Sequence, residues 1–151
     1  MEYKELSSIR NKLNITQKQM AELLGKSLRA VQSFEQGWRK IPESIERQLL
    51  YLMFMKELRG KTIVPCWELK DCPLEKKEKC PAWEFNTGNL CWFINGTICQ
   101  GKAHRDWYEK MKFCLECEVF KPISLLLRSL GWTEGKKPSW SKINKSKSKD
   151  L

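Results

Sequence analysis

Apolar residues recur at helical spacing through the first 60 positions and lose that rhythm afterwards. Leu6, Ile9 and Leu13 fall on one face of a first helix. Met20, Leu23 and Leu24 form a second stripe, and Thr16 with Gln19 three residues on has the spacing of a capping box at its start. Gly25 ends that helix. Ser27 can cap a third, which carries Val31 and Phe34 inward until Gly37 stops it. Pro42 fits the first turn of a fourth helix, lined by Ile45, Leu49, Leu52 and Met53 and running to Leu58. Leu50, Phe54 and Met55 lie off that stripe. They predict either packing on the segment that follows or a face shared between two copies.

Residues 66–120 read differently. Short apolar pieces alternate with turn signals at Cys72-Pro73, Asn86-Thr87-Gly88-Asn89 and Asn95-Gly96. A short helix is expected from His104 to Phe113, leading into Cys114. Ile123, Leu126, Leu127 and Leu130 predict a last helix from Pro122 to Leu130. The fold class is mainly α. Residues 1–60 make a helical bundle, 64–120 a small irregular cysteine-rich module, 121–134 a C-terminal helix and 135–151 a basic tail. That tail is rich in lysine and serine and is expected to be disordered.

All seven cysteines fall between Cys66 and Cys117, spaced C-x5-C-x7-C-x10-C-x7-C-x14-C-x2-C. A segment with so little periodicity needs a staple, and the thiols are the obvious one. The net charge of +10 is uneven: residues 1–60 carry +4, 61–120 carry zero and 121–151 carry +6. Polyanion contacts therefore belong to the two ends. Met1 to Arg10 is polar and charged, without the apolar centre of a secretory leader, and no apolar run approaches the ~20 residues of a membrane span. A cytoplasmic location with reduced thiols is expected.

Ala21, Gly25 and Val31 have the spacing that lets two helices cross closely through a tight turn. The run Thr16-Gln17-x-Gln19-Met20-Ala21-x-Leu23-Leu24-Gly25-x-Ser27, followed by Val31-x-x-Phe34-Glu35-x-Gly37-x-Arg39, strongly resembles the Cro/repressor (xenobiotic-response-element) helix-turn-helix family. The resemblance covers about residues 1–60 and implies a lambda-repressor-like bundle on double-stranded DNA, with a homodimer on half-sites about 34 Å apart. It implies phosphate binding at Gln17, where the helix N-terminus suits an anion. It places Leu28, Arg29 and Ser33 at base edges, with Arg29 able to fork onto a guanine. Gln32 reaches a base or a phosphate, and Lys26, Ser27, Gln36, Arg39 and Lys40 flank the groove. Arg10 and Glu35 match an ion pair of lambdoid phage repressors. Leu28 departs from the polar residue usual in the family, which suggests a contact to a thymine methyl.

Cys114-x2-Cys117 is half of a common zinc or iron–sulfur site. The other spacings fit no zinc-ribbon or zinc-finger pattern. Four readings of Cys66, Cys72, Cys80, Cys91, Cys99, Cys114 and Cys117 stand side by side. They are one metal centre on four of them, two zinc sites with His104 as eighth ligand, a disulfide framework, or buried free thiols acting as small hydrophobes. His104 by itself reads as a surface residue. Trp67, Trp83, Trp92 and Trp107 are expected to form an apolar shell. The set Cys66-Trp67-Glu68, Cys80-Pro81-Ala82, Cys91-Trp92, Gly96-Thr97-x-Cys99 and Cys114-x2-Cys117 resembles the two-CW domain found beside bacterial signalling domains. That resemblance implies a metal-binding sensory module. The Cys-Pro and Cys-Trp pairs favour an iron–sulfur cluster, with zinc as the alternative.

No nucleophile motif or small-molecule substrate site stands out, so an enzyme is not expected. The favoured function is a cytosolic bacterial transcription regulator that joins DNA reading to a metal-responsive, redox-sensing module. A structural zinc protein using its helix-turn-helix as an adaptor for other proteins is the alternative. A redox enzyme or electron carrier is a third.

Overall fold

The computed structural model describes residues 1–133. The expectation for the tail 135–151, and for the last residue of 121–134, lies outside them. Helix α1 (Tyr3–Lys12) opens with a reciprocal cap between Glu2 and Glu5. Helix α2 (Gln17–Leu24) starts on the Thr16–Gln19 capping box, in which each side chain satisfies an amide the helix leaves open. It ends where Gly25 turns left-handed at φ +60°. Helix α3 (Leu28–Glu35) is capped by Ser27, whose hydroxyl accepts from the Ala30 amide. Helix α4 (Glu43–Leu58) follows Pro42.

The cysteine-rich segment is more ordered than its missing periodicity predicts. It holds three single-turn helices, α5 (Cys66–Leu69), α6 (Leu74–Lys77) and α7 (Pro81–Glu84), then a two-stranded hairpin of β1 (Ile98–Cys99) and β2 (Lys102–Ala103). Each element is too short to show a stripe. Helix α8 spans Trp107–Glu116, later than the expected His104–Phe113. Asp106 caps it by accepting from the Glu109 amide, while His104 stays behind on the hairpin. Helix α9 (Lys121–Ser129) packs on α4 and α8.

One hydrophobic core runs from Met1 to Trp132, with α4 at its centre. Leu50 and Phe54 are buried within the chain, so they cannot form a face between copies; only Met55 of that trio is exposed. Leu23, expected inside, is exposed, and its carbonyl accepts from Gln48 of α4 at 3.1 Å. Glu46, only 1% exposed, takes the Met1 amino group at 2.7 Å and the Trp132 indole N–H at 3.3 Å. Thr133 donates to Glu5 through its amide and its hydroxyl. The end of the described chain is thereby tied to α1 and α4.

Gly88 sets how closely the cysteine segment folds on itself. A Cβ there would lie 2.6 Å from both Pro65 and the Trp67 ring, and the Gly88 carbonyl accepts from the Cys66 amide. Gly88→Ala is expected to cost about 1–3 kcal/mol by overpacking. Thermal unfolding with and without the substitution checks this, and an unchanged midpoint would show that Trp67 swings aside freely.

Candidate functional site

The chain has two candidate surfaces, a recognition helix and a cavity lined by thiols. At the first, Gly25 reverses the chain so that α3 stands across α2. Leu28 and Arg29, at the start of α3, are exposed, and Gln32 and Ser33 are half-buried. Lys26, Ser27, Gln36, Arg39 and Lys40 surround them, all exposed. Two hydroxyls are already engaged: Ser27 caps α3 and Ser33 donates to the Arg29 carbonyl. Arg10 grips Glu35 through two nitrogens, at 2.6 and 3.2 Å, and Gln17 donates to the same carboxylate at 2.8 Å. Glu35 therefore joins the ends of α1, α2 and α3, and it fixes the Gln17 side chain where α2 begins. Trp38, just past α3, is 72% exposed beside Arg39.

The second surface gathers what the sequence scatters. Cys66, Cys72, Cys80, Cys91, Cys99, Cys114 and Cys117 all line one cavity of about 380 Å³. They come from α5, the turns around α6 and α7, the Cys91 loop, β1 and α8. All seven are free thiols, so no disulfide framework forms. As placed, among the described residues, no three His, Cys, Asp or Glu side chains converge on one ion. Trp67 and Trp83 meet edge to face at 5.0 Å in the wall, with Phe113 and Phe120. Trp92 and Trp107 are not part of that shell. They are buried behind it, against α4.

Two residues that the sequence reading passed over or misplaced shape the cavity. Lys110 is 1% exposed, and its ammonium donates to the Cys91 carbonyl, the Ile94 carbonyl and the Thr97 hydroxyl. Burial pulls its amine down from the ordinary value, while the surrounding Cys114, Cys91 and Cys99 push the other way. The available signal was its place on a buried stripe with Trp107, Met111 and Cys114, where a lysine is out of character. His104 is buried rather than on the surface. Its Nε2 lies 3.2 Å from the Cys99 carbonyl, and its ring packs 4.4 Å from Phe113.

The thiols are not equivalent. Cys91 donates a hydrogen bond to Cys66, which holds Cys66 down at about 7 against the opposing effect of its burial. The same bond, with burial, pushes Cys91 up. Burial raises Cys99 and pushes Cys114 up to about 12. The thiolate is the nucleophile, so alkylation of Cys66 rises with pH through about 7 and then levels off. In metal-free protein Cys66 is expected to react with iodoacetamide well before Cys114. Peptide mapping by mass spectrometry checks the order, and equal labelling at pH near 7 would contradict it.

The donor chemistry fits a thiophilic centre. It offers soft sulfur ligands, a buried cation to offset thiolate charge, and aromatic rings in the cavity wall. Among the described residues no helix is long and apolar enough to cross a membrane. No curated protein and no solved structure matches the chain. The family model described as helix-turn-helix matches residues 6–44, from α1 into the start of α4. Residues 6–44 are similar to a helix-turn-helix domain, and that match is what suggests a DNA-binding regulator.

Proposed function

We propose that this protein is a transcription regulator that binds a double-stranded DNA operator as a homodimer. In this reading its thiol cavity carries a metal centre whose state sets DNA affinity. The observation that carries the second half is the meeting of all seven cysteines on one cavity. A single zinc ion takes four ligands at about 2.3 Å and leaves three thiols idle. A cavity of about 380 Å³ is also large beside the ~30 Å³ of one water. The size favours an iron–sulfur cluster over a lone zinc ion, whereas the thiol count does not separate them, since a cluster also takes four. Such a group, when bound, supplies a centre that oxidation or loss can change. The chain's own residues supply four of the seven thiolates, the Lys110 ammonium against their charge, and the Trp67–Trp83 pair as an apolar part of the wall. Free thiols throughout suit a reducing compartment such as the cytoplasm.

The test is an anaerobic purification with an absorption spectrum, iron, sulfide and zinc assays, and operator binding measured on the same sample. The expected sample is brown, with iron and acid-labile sulfide, and its DNA affinity changes when the cluster is removed. Stoichiometric zinc without colour would move the reading to the zinc alternative. Absence of any stoichiometric metal would overturn it.

A further inference from the structure

The cysteine cavity and the helix-turn-helix share no direct wall, yet one short segment touches the cavity on one side and α4 on the other. Cys91 faces the cavity. Trp92, the next residue, is fully buried with its ring edge-on to Phe54 of α4 at 5.7 Å. Phe93 lies 5.4 Å from the Tyr51 ring of α4 and 5.2 Å from the Arg47 guanidinium, which also donates to the Phe93 carbonyl. Lys110 holds the carbonyls of Cys91 and Ile94, so the segment is gripped at both ends. On α4, next to Arg47, Gln48 donates to the Leu23 carbonyl at 3.1 Å. Leu23 lies two residues before Gly25, the turn of the helix-turn-helix.

We propose that Cys91-Trp92-Phe93 couples the state of the thiol cavity to α4 and thence to the turn at Gly25, with Phe93 and Gln48 as positioning residues. The proposal rests on the reading of the cavity as a metal site. No three thiols converge as placed, so ligation has to draw them together, and a pull on Cys91 acts on Trp92 and Phe93. The seam against α4 has reason to rearrange. Arg47 Nε, Trp92 Nε1 and Trp107 Nε1 are buried there without a hydrogen-bond partner in the protein. Buried polar atoms are nearly always paired, so these three draw their partners from water or from a second packing of the seam. Linkage makes the effect mutual: whatever factor the metal applies to DNA affinity, DNA applies to metal affinity.

The experiment uses the full chain, stripped of metal under reducing conditions, with Cd²⁺ as the probe. Thiolate-to-cadmium absorption reports uptake, and fluorescence anisotropy reports DNA affinity with and without Cd²⁺. For the natural sequence the expected response is a change in DNA affinity of about 5- to 150-fold. In Phe93→Ala and in Gln48→Ala the response is expected to shrink, while cadmium uptake and cadmium-free DNA affinity stay close to those of the natural sequence. Gln48→Ala removes one bond from the surface of α4, so it tests the coupling even if Phe93→Ala loosens the core. The reverse titration, cadmium affinity with and without DNA, is expected to lose the same factor. A full response in both variants would overturn the proposal. Cadmium uptake without any change in DNA affinity would overturn the coupling and leave the metal reading standing. Failure to take up cadmium would overturn both.

Discussion

Lys110→Met is expected to destabilise the protein by about 1–3 kcal/mol or more, because it strands buried acceptors that the ammonium now satisfies. Methionine keeps the length of the side chain, so lost packing contributes little. What disappears is the donor for three acceptors, the Cys91 and Ile94 carbonyls and the Thr97 hydroxyl, in and beside the wall of the thiol cavity. Each buried acceptor left unpaired carries its own desolvation penalty of about 1–3 kcal/mol. The ammonium is also the buried cation facing Cys91, Cys99 and Cys114. Lys110→Arg keeps the charge but replaces a compact donor by a planar fork, and is expected to recover only part of the loss. Urea unfolding followed by tryptophan fluorescence measures it, since Trp92 and Trp107 lie beside the affected loop. An unchanged midpoint in Lys110→Met would show that the three acceptors find other partners.

Arg29→Ala is expected to weaken operator binding by about 1–3 kcal/mol and to relax preference at one base pair, the signature of a lost bidentate contact. Arg29 stands exposed at the first turn of α3, and its side chain supports no core residue. The folded domain should therefore keep its melting temperature. Arg39→Ala and Lys40→Ala provide the contrast. If they hold phosphates, each weakens binding to all sequences alike and lowers the salt slope by about one. Binding isotherms over a salt series, on operator and on single-base variants of it, separate the two behaviours. Arg29→Ala with unchanged affinity and unchanged preference would remove Arg29 as a base reader.

The helix-turn-helix was legible because each of its boundaries is written locally. Thr16 and Gln19 satisfy each other's backbone amides, Gly25 is left-handed, and Ser27 caps the next helix, all within four residues of the feature they define. Arg10 and Glu35, read from a family resemblance, do meet. The thiol cavity was legible in composition but not in shape. Its single-turn helices and hairpin are too short for periodicity to register, and its members are brought together by contacts across 50 residues of sequence. Lys110 and Glu46 were missed for a shared reason. A charged residue on an apolar stripe reads as a surface position until its buried partners are known, and those partners are backbone carbonyls for one and a chain terminus with a distant indole for the other. The surplus apolar residues of α4 admitted two explanations, and Trp92 and α9 supply the one that holds for Leu50 and Phe54.

The ties from Glu5 to Thr133 and from Glu46 to Trp132 span 128 and 86 residues of sequence. Contacts that distant are slow to form, because a long loop must close before either partner gains anything. On the ribosome, the first helices emerge well before Trp132 and Thr133 are synthesised. Glu5 and Glu46 then wait in partly formed structure for groups that do not yet exist. Docking of α9 and Trp132 is therefore a late event, and the packing of α1 and α4 is completed only after the cysteine segment between α4 and α9 has been synthesised.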